Sequence, residues 1–137
     1  MLANGTILKY KTANAQQYTE AEGLLEIPEI GSEDEKVDRT PIKAKNKQYE
    51  YGIGDYGDLE YKFLFDNSSA TSPYRVFRQA QADKETLDFQ EILPDGTTFT
   101  FSAMCSVKVT GGGVNAGVDF NLKLAVNSDI DVTDPTE

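Results

Sequence analysis

The longest alternation of apolar and polar side chains in this sequence runs from Thr97 to Asn127. It has two arms, residues 97–109 and 118–127, and in each arm every second position is apolar. Because side chains alternate across a strand, this period is typical of strands with one buried and one water-facing side. The glycines at 111–113 supply the positive backbone angles that a chain reversal needs. We therefore predict a long antiparallel hairpin that forms the floor of a larger sheet.

The same alternation divides side chains into a core set and a water-facing set. The lone cysteine, Cys105, falls in the core set, where a thiol acts as a small apolar side chain and not as a nucleophile. The predicted core residues are Phe63, Phe77, Phe101, Cys105, Val107, Phe120, Leu122 and Leu124. The residues predicted to face water are Thr100, Ser102, Ser106, Asn121 and Lys123.

Shorter patterns predict the other elements. Ser72 followed by Pro73 indicates a helix start, since serine caps helix N-termini and proline suits the first helical position. We expect this helix over about residues 73–82, held by the sheet because isolated helices this short are marginal. The length of 137 residues suits one mainly β domain, residues 1–137, with a flexible N-terminal segment and a loose acidic tail at about 128–137. Further strands are predicted at 24–27, 36–42, 58–66 and 85–93.

The segment from residue 43 to residue 57 has the least usual composition. Lysines alternate at its start, and tyrosines and glycines follow. A loop of more than about 12–15 residues is uncommon in a compact domain and is usually functional, and tyrosine and glycine are frequent on recognition surfaces. We predict a long inter-strand recognition loop, with an ordinary extended hairpin as the alternative. Its candidate contact residues are Lys43, Lys45, Lys47, Tyr49, Tyr51 and Tyr56.

Residues 20–38 form an acidic run that contains eight acids and a single base, Lys36. Such a run is either a solvated face or a docking surface for a basic partner. The sequence alone leaves both interpretations open. The acids are Glu20, Glu22, Glu26, Glu29, Glu33, Asp34, Glu35 and Asp38.

The overall charge excludes two classes of partner. The chain has 13 Lys and Arg against 23 Asp and Glu, a net charge of -10. A sequence-specific nucleic-acid reader or a binder of anionic membranes needs basic patches. No run approaches the about 20 apolar residues of a membrane span, and the amino end lacks the apolar core of a signal peptide. We therefore expect synthesis in a cytoplasm, with no membrane partner.

Catalytic motifs are few. Without histidine there is no Ser-His or Cys-His dyad and no typical zinc site. The glycines at 111–113 are not followed by the Lys-Ser/Thr of a phosphate-binding loop. Residues 129–133 resemble the Asp-x-Asp-x-Thr signature of aspartyl phosphatases, but no domain follows them, so we interpret the match as coincidence. Sugar-processing sites usually carry tryptophan, which is absent here. We predict no enzyme and no cofactor.

Four strings in the chain resemble a known family. The strings are Glu22-Gly23-Leu24-Leu25-Glu26-Ile27-Pro28, Asp55-Tyr56-Gly57-Asp58-Leu59, Thr71-Ser72-Pro73-Tyr74-Arg75 and Gly111-Gly112-Gly113-Val114-Asn115-Ala116. With the order of strand, Lys/Tyr/Gly loop, strand, helix and three further strands, they make nearly the whole chain similar to the tail tube (major tail) proteins of long-tailed, non-contractile bacteriophages. The resemblance implies an antiparallel β-sandwich or half-barrel with one short flanking helix.

The resemblance also implies a function. Subunits of this family close into hexameric rings, and the rings stack into a tube that conducts DNA into the host. The implied location is the virion tail. The implied partners are other copies of the chain and the tape measure, tail tip and terminator proteins, with transient, non-specific passage of DNA. The alternative function is a monomeric β-sandwich binding or adhesion module, which would not polymerise.

Two features of the residues suit a tube. A polar, net negative wall repels DNA weakly and lets it slide, whereas a lysine-lined wall would hold phosphates, so the five water-facing residues above are candidates for the lumen. Stacked rings need one patch to meet a different patch on the next copy. We predict that the basic 43–57 loop makes this contact with an acidic surface. The candidate acidic receiver is Glu26, Glu29, Glu33, Asp34, Glu35 and Asp38.

Overall fold

A computed structural model describes residues 2–31, 33–43, 45–46, 48–55, 57–114 and 117–135, with the backbone alone for 33–38 and 49–55. The elements in this part of the chain are ten strands and one helix. In chain order they are β1 (Ile7–Lys11), β2 (Thr19–Ala21), β3 (Leu24–Glu26), β4 (Glu33–Asp38), β5 (Tyr49–Asp55), β6 (Asp58–Leu64), α1 (Pro73–Asp83), β7 (Thr86–Ile92), β8 (Thr98–Val109), β9 (Asp119–Val126) and β10 (Asp131–Thr133).

The main sheet is antiparallel and has the strand order β2-β1-β7-β8-β9-β6-β3, with β10 also paired to β8. The long strand β8 pairs with a different neighbour along each part of its length. Residues 98–104 pair with β7, and residues 103–109 pair with β9. We call the part built on β2, β1, β7 and β10 the β7 half, and the part built on β9, β6 and β3 the β9 half. The predicted hairpin is therefore the centre of the sheet, and the mainly β, half-barrel prediction is confirmed.

The two ends of this strand order are joined by only two residues, Glu22 and Gly23. The amide of Leu64 donates a 2.8 Å hydrogen bond to the Gly23 carbonyl. Gly23 has a φ of +91°, and a Cβ there would lie 3.3 Å from the Leu64 Cβ. Because a glycine permits both the backbone angle and the close approach, the chain can pass from one edge strand to the other. The sheet thereby curls into a half-barrel around its apolar face.

The core fills the concave side of this half-barrel. Phe77 of α1 lies at its centre, with its ring 5.2 Å from Tyr10, 6.2 Å from Phe63 and 6.0 Å from Phe89. Aromatic pairs at these distances add to the burial free energy. Seven of the eight predicted core residues are buried, and Val107 is half-buried against the cluster. The buried core comprises Leu8, Tyr10, Ala21, Leu59, Tyr61, Phe63, Phe77, Ala80, Leu87, Phe89, Phe101, Ala103, Cys105, Phe120, Leu122 and Leu124.

The helix covers β8 where the pairing with β7 has ended. The Val107 amide donates to Gln81 Oε1 at 2.9 Å, and Cys105 Sγ donates to the Phe77 carbonyl at 3.4 Å. The helix begins after Ser72 as predicted, although the Ser72 hydroxyl accepts from the Ser69 amide and makes no side-chain bond to the helix. It ends at Lys84, whose left-handed backbone (φ 53°) closes the last turn.

Two predicted boundaries are wrong. The loop expected over 43–57 is shorter, because residues 49–55 form β5, and the strand expected over 36–42 is β4, which begins at Glu33 and ends at Asp38. Within the described residues these two strands pair with each other alone, and the glycines of β5 favoured a loop over a strand. The segment is the extended hairpin that the sequence left open as an alternative.

The carboxyl-terminal segment also contains structure that was not expected. Part of the predicted loose tail, Asp131–Thr133, is a strand that pairs with residues 98–100 of β8. It is anchored just before the strand, where Ser128 Oγ accepts a 2.8 Å hydrogen bond from the Ser102 amide. Backbone pairing therefore orders a segment whose acidic composition predicted none. In the described part of the chain, no helix is both long and apolar enough for a membrane span.

Candidate assembly surfaces

The β4–β5 hairpin stands apart from the main sheet. The two strands pair antiparallel with each other and form a separate two-stranded sheet, with a register shift between Asp34 and Lys36. An isolated two-stranded hairpin is at best marginally stable in water. Packing against a further surface would stabilise it.

The tip of this hairpin, residues 39–48, presents an apolar side chain to water. The Arg39 amide donates to the Gln48 carbonyl at 2.9 Å, and the Gln48 amide donates to Thr40 Oγ1 at 2.8 Å, which closes the base of the tip. Beyond this closure Ile42 is fully exposed, at 104% of its reference area. Ile42 thus lies beyond the paired strands with its side chain in water, as single apolar residues commonly do.

The residues predicted for the recognition loop are divided by the structure. Lys43 and Lys45 lie on the tip with exposed side chains. Tyr49 and Tyr51 belong to the backbone of β5. The other two, Lys47 and Tyr56, lie outside the described residues. The basic end of the predicted surface is thus brought to the extremity of the hairpin.

The predicted acidic receiver is largely part of the same hairpin. Glu33, Asp34, Glu35 and Asp38 all belong to β4, and the exposed Glu26 and Glu29 lie at the end of β3 and just beyond it. Most of these acids therefore lie on the same hairpin as the lysines of their own subunit. A head-to-tail contact needs its receiver on a different surface.

The topology gives the β9 half two distinct poles. The hairpin leaves after Glu26 of β3 and returns before Asp58 of β6. At the other end of β6, Leu64 pairs with Asp119, next to the connection between β8 and β9. Seven residues of β6 separate the poles, a distance of about 20 Å at the usual rise of a strand. We name them the hairpin pole and the turn pole.

Uncovered apolar side chains lie at the turn pole. Phe65, Val109 and Val118 continue the inward-facing series of β6, β8 and β9, and the Phe65 amide donates to the Val118 carbonyl at 3.2 Å. Their exposures are 37%, 47% and 48%, and that of neighbouring Leu64 is 53%. We name these four residues the apolar rim. Val109 and Val118 lie on the inward-facing side, as the alternation of the two arms predicts, but the core ends before it reaches them.

A cleft of about 490 Å³ borders the rim at Leu64. Three acids line it, Glu20, Glu22 and Asp66, together with Ser72 at the helix start. The Ser68 amide donates to Asp66 Oδ1 at 3.0 Å, and the bonds from Ser68 lower the pKa of Asp66. Asp66 therefore remains ionised at neutral pH. The turn pole combines an apolar surface with an acidic border.

The five residues predicted to face water lie on the convex side of the sheet, but not on one plane. Thr100 and Ser102 belong to the β7 half, whereas Ser106, Asn121 and Lys123 belong to the β9 half. Lys123 is exposed, and the other four are half-buried. The Ser102 hydroxyl donates to Asp88 at 2.6 Å.

Two lysines on the convex side of the β9 half are paired with acids. Lys62 Nζ lies 3.8 Å from Asp119 Oδ2, and Lys123 Nζ lies 3.3 Å from Asp58 Oδ2. These exposed pairs contribute little to stability, but they neutralise the lysine charges locally. This convex face is polar and close to neutral.

The acidic and thiol side chains of the described residues are too dispersed to form a metal centre. No group of three or more Cys, Asp or Glu side chains there could hold a metal ion.

Glu91 is a buried acid, with only 2% of its surface exposed, and it was not identified from the sequence. Its burial could have been predicted from its position in β7, two residues after Phe89 in the inward-facing series.

Comparison with protein-family models and with curated proteins finds no match to this sequence. Solved structures do match. A chain in the tail of an empty gene transfer agent (GTA) particle, determined with C6 symmetry, has a TM-score of 0.73 and 24% identity over 97% of this chain and 100% of that one. A chain of the anti-feeding prophage (AFP) baseplate has a TM-score of 0.78 and 14% identity, over 97% and 95%. The SPP1 tail tube has a TM-score of 0.67 and 12% identity, over 92% and 78%.

These likenesses extend over both chains in each pair, so they concern the whole architecture and not a shared sheet. At such identities they establish the fold. The resemblance that the sequence suggested is confirmed at that level: the chain has the fold of proteins found in the GTA tail, the AFP baseplate and the SPP1 tail tube.

Proposed function

We propose that this chain is the structural subunit of a phage tail tube. Copies close into hexameric rings, the rings stack into a tube, and the tube conducts DNA into the host without catalysis. The observation that carries the proposal is the match to the GTA tail, which covers 97% of this chain and all of that one. The correspondence therefore extends over nearly all of the chain and not over a shared sheet alone.

The hairpin supplies the stacking element in this proposal. Over the described residues, β4 and β5 pair only with each other, and the tip carries Lys43 and Lys45. Binding of the hairpin to the next ring would add the third surface that an isolated hairpin lacks. The tyrosines of β5 are candidates for the buried area, because exposed ion pairs alone contribute about 0–1 kcal/mol each.

Free strand edges supply the lateral contact. Over the described residues, β10 pairs with β8 alone, and the pairing of β6 with β3 begins only at Lys62. Exposed edges invite pairing with another chain. We infer that neighbouring subunits extend one another's sheets and so close a barrel. The edge amides of β10 and of Asp58–Tyr61 should then become protected from hydrogen exchange on assembly.

The convex face of the β9 half is the proposed lumen wall. Its polar residues and paired lysines give a nearly neutral surface, within a chain of net charge -10. Such a wall does not accumulate phosphate contacts, each of which would release counterions and hold the DNA.

Sedimentation velocity and negative-stain microscopy of the purified protein test the function. A tube subunit should pass from a slow species to rings and tubes as its concentration rises. A binding or adhesion module should remain a monomer throughout, and that result would contradict the proposal.

A further inference from the structure

The hairpin that carries Ile42 is attached at one pole of β6, and the apolar rim lies at the other pole. Ile42 on the tip is fully exposed, and each rim residue exposes between 37% and 53% of its surface. Identical subunits placed end to end therefore bring the hairpin pole of one copy to the turn pole of the next. The structure thus offers both halves of one contact on a single chain.

We propose that the apolar rim receives the hairpin tip of a second copy, with Ile42 seated against Phe65, Val109 and Val118. The inference rests on the proposed function and names the receiving surface of its ring-to-ring contact. An apolar residue that fits a surface elsewhere on the same molecule makes a heterologous contact, which repeats without closing. Such a contact builds a tube and not a closed dimer.

The rim is prepared for an apolar partner. The Phe65 ring lies 4.8 Å from Tyr74, which in turn lies 5.4 Å from the buried Phe120. Phe65 of the apolar rim is therefore held in place by ring contacts that lead to the aromatic core, in the absence of any partner. Burial of one isoleucine side chain there favours association by about tenfold or more.

Charge fixes the orientation of the tip. Lys43 and Lys45 follow Ile42 on the tip, and Glu20, Glu22 and Asp66 line the cleft beside the rim. Opposite charges across an interface favour the correct partner and penalise like-to-like stacking. This receiver differs from the acids of β4, which belong to the hairpin itself.

Cysteine cross-linking tests the contact. The double variant Ile42→Cys/Val118→Cys is assembled and then oxidised, with the double variant Ile42→Cys/Gln79→Cys as a control that places the second thiol on the exposed face of the helix. Each single variant controls for dimers made by one thiol. The wild-type chain controls for Cys105, which is 6% exposed.

The expected result is an open-ended ladder of covalent oligomers from Ile42→Cys/Val118→Cys alone. A ladder that ends at the size of one ring would indicate a lateral contact and would overturn the proposal. Tubes visible by microscopy without this ladder would also overturn it, while the proposed function would stand. Wild-type protein that forms no tube at any concentration would instead contradict the proposed function.

A charge substitution gives an independent readout. Val118→Asp should leave the monomer folded, as judged by circular dichroism, because the side chain is half exposed. It should raise the concentration needed for tubes by about tenfold or more. Leu2→Asp, at a residue 82% exposed and outside the rim, should leave that concentration unchanged. Equal polymerisation of Val118→Asp and the wild type would overturn the proposal.

Discussion

Tyr61 and Glu91 face each other inside the half-barrel, although their strands are not neighbours in the sheet. Tyr61 belongs to β6 in the β9 half, and Glu91 belongs to β7 in the β7 half. The Tyr61 hydroxyl and Glu91 Oε1 are both buried without a hydrogen-bond partner. Burial raises the pKa of Glu91, and burial together with the nearby carboxylate raises the pKa of Tyr61. The core therefore contains a destabilised polar pair.

Replacement of this acid should stabilise the protein at neutral pH. Since the pKa of Glu91 is raised on folding, the folded state binds the proton more tightly than the unfolded chain, and stability falls as pH rises between the unfolded and the folded pKa. Its strand partners, Leu8 and Phe99, offer no compensating charge. Glu91→Gln should raise the free energy of unfolding at pH 7 by about 1–3 kcal/mol. Urea denaturation at pH 4 and pH 7 measures this.

Glu60→Gln is the matched control, because it removes one acid from an exposed position of β6. Its stability should follow that of the wild type at both pH values. The difference between Glu91→Gln and the wild type should shrink towards acidic pH, where the carboxyl is protonated in both states. An equal difference at both pH values would contradict a titrating Glu91.

Cys105 should resist thiol reagents in the native protein. Its side chain is buried, and burial raises the pKa of the thiol to about 11. Because the thiolate is the nucleophile, little reactive species exists at pH 8. Ellman's reagent should label wild-type protein slowly until urea is added, whereas Val118→Cys, at a half-exposed position, should label one equivalent at once. Fast native labelling of the wild type would mean that the faces of β8 are reversed.

Deletion of residues 44–54 should separate folding from assembly. The deletion removes most of β5, which pairs with β4 alone, so every pairing of the main sheet survives. We expect a soluble, folded monomer or ring that forms no tube. Sedimentation velocity and microscopy give the answer, and long tubes from the deletion variant would show that the hairpin is not the stacking element.

Added lysines on the proposed lumen wall should make the tube hold DNA. Ser106→Lys/Asn121→Lys places two charges on the convex face of the β9 half, and a closed lumen concentrates their field. Assembled tubes should then retain short duplex DNA in a salt-dependent manner. Gln79→Lys/Ala82→Lys, on the exposed side of the helix, is the control. Stronger retention by the control than by the wall variant would place the lumen elsewhere.

Sequence patterns predicted the strands that have one buried side and one water-facing side. β8 and β9 begin and end within one residue of the predicted arms, because burial on one side enforces the alternation. The helix start was equally readable, since Pro73 at the first helical position restricts the backbone locally. These features depend on neighbours along the chain or on a single buried face.

The assembly surfaces were harder to predict for a physical reason. Alternation says which way Val109 and Val118 point, but not that the core stops short of them. Tyr49, Tyr51 and Ile53 alternate with glutamate and glycine in β5, but the glycines favoured a loop, and the position of Ile42 at the tip follows only from the pairing of β4 with β5. Glu91 interrupts an apolar series, and only the curl of the sheet reveals that Tyr61 faces it.

Cryo-electron microscopy of the assembled wild-type protein would show the ring-to-ring contact itself. We expect stacked rings with sixfold symmetry, in which the hairpin of each subunit crosses to the next ring and its tip lies on the apolar rim. Particles that remain monomeric at every concentration, in the absence of any other protein, would contradict this expectation.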